Sequence, residues 1–173
     1  MSIPERAAIA ATEYAARKNI PVIIDTGGVR ADYQLTKLFP CEVFAPNETE
    51  LAAFTGIAPT NTENCLRAVI RLASMIKSKY YVIKMGERGA FIYDGKYYNV
   101  VLAYDVNAVD KTSAGDIFTA ALTSEYMATK DIMHAVRYAN AASAISITRE
   151  GSLNSIPTAE EIVDFAAKRQ IKL

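Results

Sequence analysis

The spacing of apolar residues along the chain predicts short buried strands that alternate with amphipathic helices. Continuous apolar runs bounded by turn residues are typical of strands that are covered on both faces of a parallel sheet. Such runs occupy residues 21–25, 42–45 and 80–84. Apolar residues three or four positions apart instead predict helices. In the first half of the chain the predicted helices cover about residues 4–18, 32–38, 47–56 and 61–76.

The second half of the chain predicts a β-hairpin followed by three helices. Residues 90–93 and 96–102 flank Asp94-Gly95, a dipeptide typical of two-residue hairpin turns. The three helices cover about residues 114–128, 131–147 and 158–169. This order of elements predicts an α/β fold, a three-layer α/β/α sandwich with a mainly parallel sheet, in a single domain over residues 1–173.

Composition narrows the functional classes without identifying one. The chain holds 19 basic and 19 acidic side chains, and this zero net charge argues against a sequence-independent nucleic-acid binder. No apolar run reaches membrane-spanning length, so no membrane partner is expected. Cys41 and Cys65 have no metal-site spacing and are expected to be reduced thiols of a cytoplasmic protein. Ser2 and Glu5 form a capping-box pair with Pro4 in the first turn, which predicts a helix rather than a signal peptide.

The segment from residue 108 to residue 122 is the strongest candidate for chemistry. Here the small residues Ser113, Ala114 and Gly115 precede a helix. The first N–H groups of a helix have no internal partner, and together with the positive end of the helix dipole they form an anion site. Asp116 in the same turn could accept a proton from a hydroxyl that attacks phosphorus. The simpler alternative is a capped helix start with Asp116 as a first-turn acid.

The sequence DKTSAGD at residues 110–116 resembles the signature D-T-T-G-A-G-D of the ribokinase-like (PfkB) sugar and nucleoside kinases. Lys111 stands where the signature has Thr, and Ser113 stands where it has its first Gly. The resemblance implies that Asp116 is the catalytic base. It implies an anion hole formed by Ser113, Ala114 and Gly115.

Other motifs fit the nucleotide site that this resemblance implies. Asn47 and Glu50 match an N-x-x-E motif that helps to hold the nucleotide phosphates and a hydrated magnesium ion, with Glu50 acting through water. The implied ATP-binding residues are Asn47, Lys84, Gly86, Gly89 and Asn140. The same positions also fit a helix cap, the turn after a strand, and the close packing of an alanine-rich helix. No G-x-x-x-x-G-K-[ST] loop occurs in the sequence, which excludes P-loop chemistry.

Residues 146–157 resemble the ribokinase ending R-x-G-A-x-x-S-I-P, a loop that binds a monovalent cation beside the anion hole. The implied potassium shell, several members of which act through backbone carbonyls, consists of Asp110, Thr112, Ser146, Arg149, Gly151 and Ser155. The alternative is a loosely ordered turn. The expected cofactors are therefore ATP, Mg²⁺ and K⁺.

The resemblance predicts a kinase that converts ATP and a sugar into ADP and a sugar phosphate. Ribose is the favoured sugar, because Ser113 and residues 155–157 match ribokinases, while fructose, ketodeoxygluconate and nucleosides remain open. The alternative is a non-catalytic nucleotide-binding or interaction module left after loss of the sugar-binding half. Sugar-dependent release of ADP distinguishes the two functions.

The matched motifs belong to the C-terminal, nucleotide-binding part of the family's fold. The family's N-terminal strands, its Gly-Gly sugar-binding motif and its β lid have no counterpart in this sequence. We therefore expect an exposed sheet edge at residues 21–25, with uncovered apolar surface beside it. Such a surface predicts marginal stability, a homo-oligomer, or a partner chain that carries the N-terminal half.

Overall fold

The computed structural model describes residues 3–28 and 33–173, which form two compact units. The first unit extends to Met85 and includes Phe91–Val100, and the second consists of Gly86–Ala90 and Val101–Leu173. Each unit has its own cluster of buried apolar side chains. The single domain inferred from the length of the chain stays a prediction.

The first unit contains parallel strands with helices between them, as the apolar runs predict. Its elements are α1 (Glu5–Arg17), β1 (Ile23–Asp25), a 3₁₀ turn (Leu35–Lys37), β2 (Cys41–Ala45), α2 (Glu48–Thr55), α3 (Thr62–Ala73) and β3 (Ser78–Lys84). Strand β2 pairs in parallel with β1, where Ile23 lies opposite Val43, and with β3, where Val43 lies opposite Tyr80. Val43, Phe44 and Ala45 are fully buried, which is the burial that a continuous apolar run predicts.

Two predictions near the start of the chain fall partly outside the described residues. Ser2 of the predicted capping box lies outside them, and Pro4 occupies the N-cap position of α1 without a side-chain hydrogen bond. Residue 32 of the predicted short helix also lies outside them. The described remainder of that segment contains a 3₁₀ turn at Leu35–Lys37 in place of the predicted helix.

Strands β4 (Ala90–Tyr93) and β5 (Tyr98–Val101) complete the sheet in the order β1-β2-β3-β4-β5. They confirm the predicted strand pair, but the prediction of a two-residue Asp94-Gly95 turn is wrong. Residues 94–97 connect the strands, because the Asp94 carboxylate accepts hydrogen bonds from the backbone N–H groups of Tyr97 and Lys96 at 2.6 and 2.8 Å. These bonds also hold the pKa of Asp94 below its usual value.

The second unit consists mainly of helices. They are α4 (Ala114–Thr129), α5 (Ile132–Ser146) and α6 (Ala159–Lys168), preceded by a 3₁₀ turn at Gly86–Arg88. Their bounds lie within one residue of the predicted ones. Asp131 starts α5 by accepting hydrogen bonds from two backbone N–H groups, and Thr158 and Glu161 form a capping box at α6. The buried cluster of this unit comprises Ile117, Ala141, Ala142, Ile145 and Ile162.

The two cysteines, Cys41 and Cys65, are buried free thiols. Burial raises the pKa of Cys41 to about 11, so this side chain is a thiol rather than a thiolate at neutral pH. Within residues 3–28 and 33–173, no helix has the length and apolar character needed to cross a bilayer.

Gly89, in the second unit, has no room for a side chain. Its φ is +90°, and a Cβ there would lie 2.0 Å from the carbonyl oxygen of Val101 and 2.6 Å from the backbone nitrogen of Ala103. We expect Gly89→Ala to lower the free energy of unfolding by at least ~2 kcal/mol, because the positive φ and the backbone overlap both oppose it. Urea unfolding measures this loss.

Gly95→Ala is the matched control for this prediction. Gly95 has a φ of +94° but nothing within 4 Å of the added methyl group. Its replacement should cost only about 1 kcal/mol, the penalty of the left-handed backbone alone. Equal losses in the two variants would contradict the importance of the close backbone approach at Gly89.

Candidate functional site

Polar side chains of the first unit gather where its parallel strands end. The carboxyl ends of parallel strands share one edge of a sheet, where α/β proteins bind ligands. Asn47 follows β2 and forms an isolated parallel bridge with Lys84, the last residue of β3. Asn47 also caps α2, since its side-chain oxygen accepts a hydrogen bond from the Glu50 N–H at 2.9 Å and the Glu50 carboxylate accepts one from the Asn47 N–H at 2.8 Å. The helix start predicted at Asn47 is therefore confirmed.

The Glu50 carboxylate is buried and is surrounded by protein donors. Its side chain is only 3% exposed. One oxygen accepts a hydrogen bond from the Gly28 N–H at 3.0 Å, and the other accepts bonds from the Thr26 hydroxyl and the Asn47 N–H. A carboxylate offers about four acceptor positions, so three protein donors leave one position for a water molecule of a hydrated magnesium ion. Glu50 thus fits an outer-sphere role, and it also holds the segment after β1.

Lys84 is paired with an acid that the sequence did not indicate. Its ammonium lies 2.6 Å from the Asp25 carboxylate, whose other oxygen accepts a hydrogen bond from the Gly27 N–H at 3.1 Å. Both side chains are largely buried. The sequence feature that could have indicated Asp25 is its position at the end of the first apolar run, directly before Thr-Gly-Gly. The Lys84 ammonium can therefore contact a ligand only while it also stays paired with the Asp25 carboxylate.

In the second unit, the Asp110 carboxylate links two loops. One oxygen accepts a hydrogen bond from the Thr112 N–H at 2.8 Å, and the other accepts one from the Gly151 N–H at 3.0 Å. Bonds from Thr112 and Gly151 hold the pKa of Asp110 below its usual value. The Asp110 N–H itself donates to the carbonyl oxygen of Ile147 at 3.1 Å. Three residues of the predicted potassium shell thus meet at this carboxylate.

The other residues of the predicted potassium shell hold the 146–155 loop together. The Ser146 hydroxyl donates to the Ser143 carbonyl at 2.8 Å, and the Ser155 hydroxyl donates to the Ser152 carbonyl at 2.9 Å. The Arg149 guanidinium lies 2.6 Å from the Glu161 carboxylate and lowers the pKa of Glu161. This loop is ordered by its own hydrogen bonds, so any role in cation binding falls to its remaining oxygen atoms.

Ser113 leads into α4 with a left-handed backbone, at a φ of +60°. Glycine adopts this conformation without the steric cost that a Cβ brings, which explains the Gly at this position of the signature. The Ala114 N–H donates to the Lys111 carbonyl at 3.3 Å. The N–H groups of Gly115 and Asp116 belong to the first turn, where helix geometry supplies no partner. Two N–H groups, those of Gly115 and Asp116, are therefore without a partner inside the helix next to Ser113 and Ala114, and the anion hole of Ser113, Ala114 and Gly115 stays a prediction.

Asp116 is exposed in the first turn of α4 and lines an open cleft of about 460 Å³. Ser113 lines the same cleft. Apolar groups form most of the remaining wall, including Ala120, Ala121, Tyr138, Ile156 and Pro157. An exposed carboxylate beside the helix N-terminus can take up a proton from a hydroxyl group that enters this cleft.

A second cavity of the same unit, about 610 Å³ in volume, is lined by Asn140. Asn140 is 7% exposed, and its amide nitrogen donates to the carbonyl oxygens of Val101 and Leu102 at 3.2 and 3.1 Å. Both N–H bonds of the side chain are used, so its amide oxygen is the group left for a ligand. The lining also includes Gly86, Glu87, Lys111 and Ala114.

Within each unit, the structure brings some of the predicted residues together. Asn47, Glu50 and Lys84 meet at the strand ends of the first unit. In the second unit Gly86 and Asn140 line one cavity. The nearby backbone of residues 101–103 requires glycine at position 89, and the ATP contact of Gly89 stays a prediction.

Comparison with known proteins places these features in a family context. A family model described as pfkB family carbohydrate kinase matches residues 2–159. A deoxyribokinase of Salmonella typhimurium is 30% identical over 155 residues, which cover 90% of this chain and 50% of that protein. A ribokinase of Haemophilus influenzae is 31% identical over 127 residues, which cover 72% of this chain and 40% of that protein. The chain thus spans about half the length of the curated relatives it matches.

Solved structures match the fold closely. A ribokinase of Arabidopsis thaliana, complexed with ribose and ATP, matches with a TM-score of 0.84 and 26% identity over 94% of this chain and 53% of that one. A ribokinase of Giardia lamblia matches with a TM-score of 0.85 and 25% identity over 96% of this chain and 57% of that one. These matches confirm the predicted α/β fold of the ribokinase type.

We expect Glu50→Gln to destabilise the protein in the absence of any nucleotide or metal. The amide group that replaces one carboxylate oxygen is a donor, and it would face the donors that Glu50 now accepts from. The expected loss is about 1–3 kcal/mol in the free energy of unfolding, measured with urea. Glu63→Gln, an exposed acid in the first turn of α3, is the control and should change it by less than about 0.5 kcal/mol. Unchanged stability of Glu50→Gln would contradict the structural role.

We expect the effect of Asp110→Asn on the free energy of unfolding to depend on pH. The pKa of Asp110 is lowered in the folded state, so its ionised form contributes stability above the usual value of 3.8. This contribution is lost as the pH falls through the folded-state pKa. The stability difference between the wild type and Asp110→Asn should therefore shrink as the pH falls from 7 to below 3.8. Urea unfolding across this range measures the difference, and a difference that is constant with pH would count against the carboxylate link.

Proposed function

The chain belongs to the pfkB carbohydrate kinase family, and we propose that it takes part in the transfer of the γ-phosphoryl group of ATP to a sugar hydroxyl. The observation that carries the proposal is the exposed Asp116 in the first turn of α4, beside the N–H groups of residues 115 and 116. The proposed base and the proposed anion site are therefore adjacent in this arrangement. These are the two elements that phosphoryl transfer to a hydroxyl requires of the protein.

In the proposed reaction, the Asp116 carboxylate accepts the proton of the sugar hydroxyl. The hydroxyl oxygen forms a bond to the γ-phosphorus as the bond from that phosphorus to the bridging oxygen of ADP breaks. The N–H groups at the start of α4, with the helix dipole, stabilise the charge on the transferred group. A bound magnesium ion would neutralise phosphate charge, and the free acceptor position of Glu50 suits one of its water molecules.

We assign the nucleotide base to the cavity lined by Asn140. Its volume of about 610 Å³ lies within the range of small-molecule pockets. The free amide oxygen of Asn140 can accept a hydrogen bond from an exocyclic amino group, which adenine carries. In the first unit, Asn47 and Lys84 are proposed to contact phosphate groups. In the second unit, the loops joined by Asp110 are the proposed potassium site.

Ribose or a related sugar is the proposed acceptor. Support comes from the relatives of the chain, which include a ribokinase, a deoxyribokinase and a fructokinase. Because the chain spans about half of these relatives, we propose that protein outside these 173 residues completes the sugar site, in a longer chain, a partner chain or a second copy. The cytoplasm is the proposed location.

We expect Asp116→Asn to reduce sugar-dependent ADP formation by at least about 100-fold, because the amide has no basic oxygen to take the proton. The affinity for magnesium ADP should change by less than about twofold, since the cavity lined by Asn140 is intact. Asp164→Asn on α6 is the control for loss of an exposed acid. The measurements are ADP release with ribose, deoxyribose and fructose, and calorimetric titration with magnesium ADP in potassium and in a bulky cation.

Unchanged turnover in Asp116→Asn would contradict the assignment of the base. A wild-type chain that binds magnesium ADP but releases no ADP with any sugar would contradict catalysis by this chain alone. That outcome would favour the nucleotide-binding module. Stronger binding in potassium than in the bulky cation would support the proposed cation site.

A further inference from the structure

Lys111 and Glu87 form an ion pair at the mouth of the second-unit cavity. The Lys111 ammonium lies 2.8 Å from the Glu87 carboxylate. Glu87 belongs to the 3₁₀ turn at Gly86–Arg88, and Lys111 belongs to the turn before α4, so the pair joins two separate segments of the cavity lining. The side chains are 65% and 87% exposed, although both residues line the cavity. The pair therefore spans the opening rather than the interior.

The backbone around Lys111 is held in place on both sides. Asp110, the preceding residue, forms hydrogen bonds with Ile147, Thr112 and Gly151. The carbonyl oxygen of Lys111 accepts a hydrogen bond from the Ala114 N–H at 3.3 Å. The flexible part is thus the side chain, which can move its ammonium without moving the turn.

The ion pair between Lys111 and Glu87 is easily replaced by a contact between Lys111 and a ligand. Exposed ion pairs contribute little to stability, because water screens the charges and two long side chains lose freedom. The Lys111 ammonium holds the pKa of Glu87 below its usual value, so the carboxylate is charged at neutral pH. A phosphate oxygen offers the ammonium a stronger, charge-assisted hydrogen bond than the exposed carboxylate does.

We propose that Lys111 is a contact for the nucleotide phosphates, and that Glu87 holds it across the cavity mouth until a nucleotide binds. The inference rests on the proposed function, because it requires a nucleotide in this cavity. Ala114, the first residue of α4, lines the same cavity as Lys111, so a phosphate chain directed to the N–H groups at the start of α4 passes close to Lys111. The Thr that the signature has at this position would supply no positive charge. Selectivity for nucleoside diphosphates and triphosphates over nucleosides follows.

The test compares the binding of ADP and adenosine to the 173-residue chain and its variants by calorimetry. Lys111→Thr should weaken ADP binding about tenfold, the loss of one charge-assisted hydrogen bond, and leave adenosine binding unchanged. Lys111→Arg should retain most of the ADP affinity. Glu87→Gln should strengthen ADP binding about two- to fivefold, because it frees Lys111 and removes a negative charge from the cavity mouth. Lys168→Thr on α6 is the control for loss of an exposed lysine.

A second measurement tests directly how accessible the Lys111 amine is. An amine-reactive reagent followed by mass spectrometry should modify Lys111, and ADP should protect it more than adenosine does. ADP binding that is equal in the wild type and in Lys111→Thr, with no protection of Lys111, would overturn this inference and leave the proposed function standing. Failure of the folded wild-type chain to bind either ADP or adenosine would overturn both.

Discussion

The hydrogen bonds of the Asp110 carboxylate fix the geometry on which the second-unit site depends. They join the turn before α4 to the loop at Gly151, while the Asp110 backbone is bonded to the end of α5. The proposed base Asp116, the N–H groups at the start of α4 and Lys111 all lie within six residues of Asp110 in the sequence. A change in its ionisation or size therefore alters every chemical group of the site through the backbone that carries them.

Two acids in equivalent local positions have different roles in this protein. Glu50 and Asp116 both lie in the first turn of a helix, where the helix dipole favours a carboxylate. Glu50 is buried and accepts hydrogen bonds from three protein donors, so most of its acceptor positions are used within the protein. Asp116 is exposed in a cleft and remains accessible to a reacting hydroxyl. Burial and the supply of donors, rather than residue type, separate a structural acid from a candidate base.

Much of the fold could be predicted because its signals are local. Apolar runs, caps such as Asn47 and Thr158, and helical periodicity act within a few residues, so the bounds of the helices after residue 113 were within one position. Residues of the candidate site could be predicted only where they belong to a sequence motif. The partners of Lys84 and Lys111 lie 59 and 24 residues away along the chain, and no spacing rule connects them. The turn at residues 94–97 was missed because the Asp94 carboxylate accepts hydrogen bonds from the N–H groups of Lys96 and Tyr97, which lie beyond the Asp-Gly dipeptide.

The burial of Glu50 has a consequence for local fluctuations of the first unit. Its carboxylate accepts hydrogen bonds both from the segment after β1, at Thr26 and Gly28, and from the start of α2, at Asn47. Opening either side would leave a buried charge short of donors, which carries a large desolvation cost. The two segments are thus expected to open together, as one cooperative unit of amide hydrogen exchange. The N–H groups of Gly28 and Asn47 would then show the same protection from exchange, although one follows a strand and the other starts a helix.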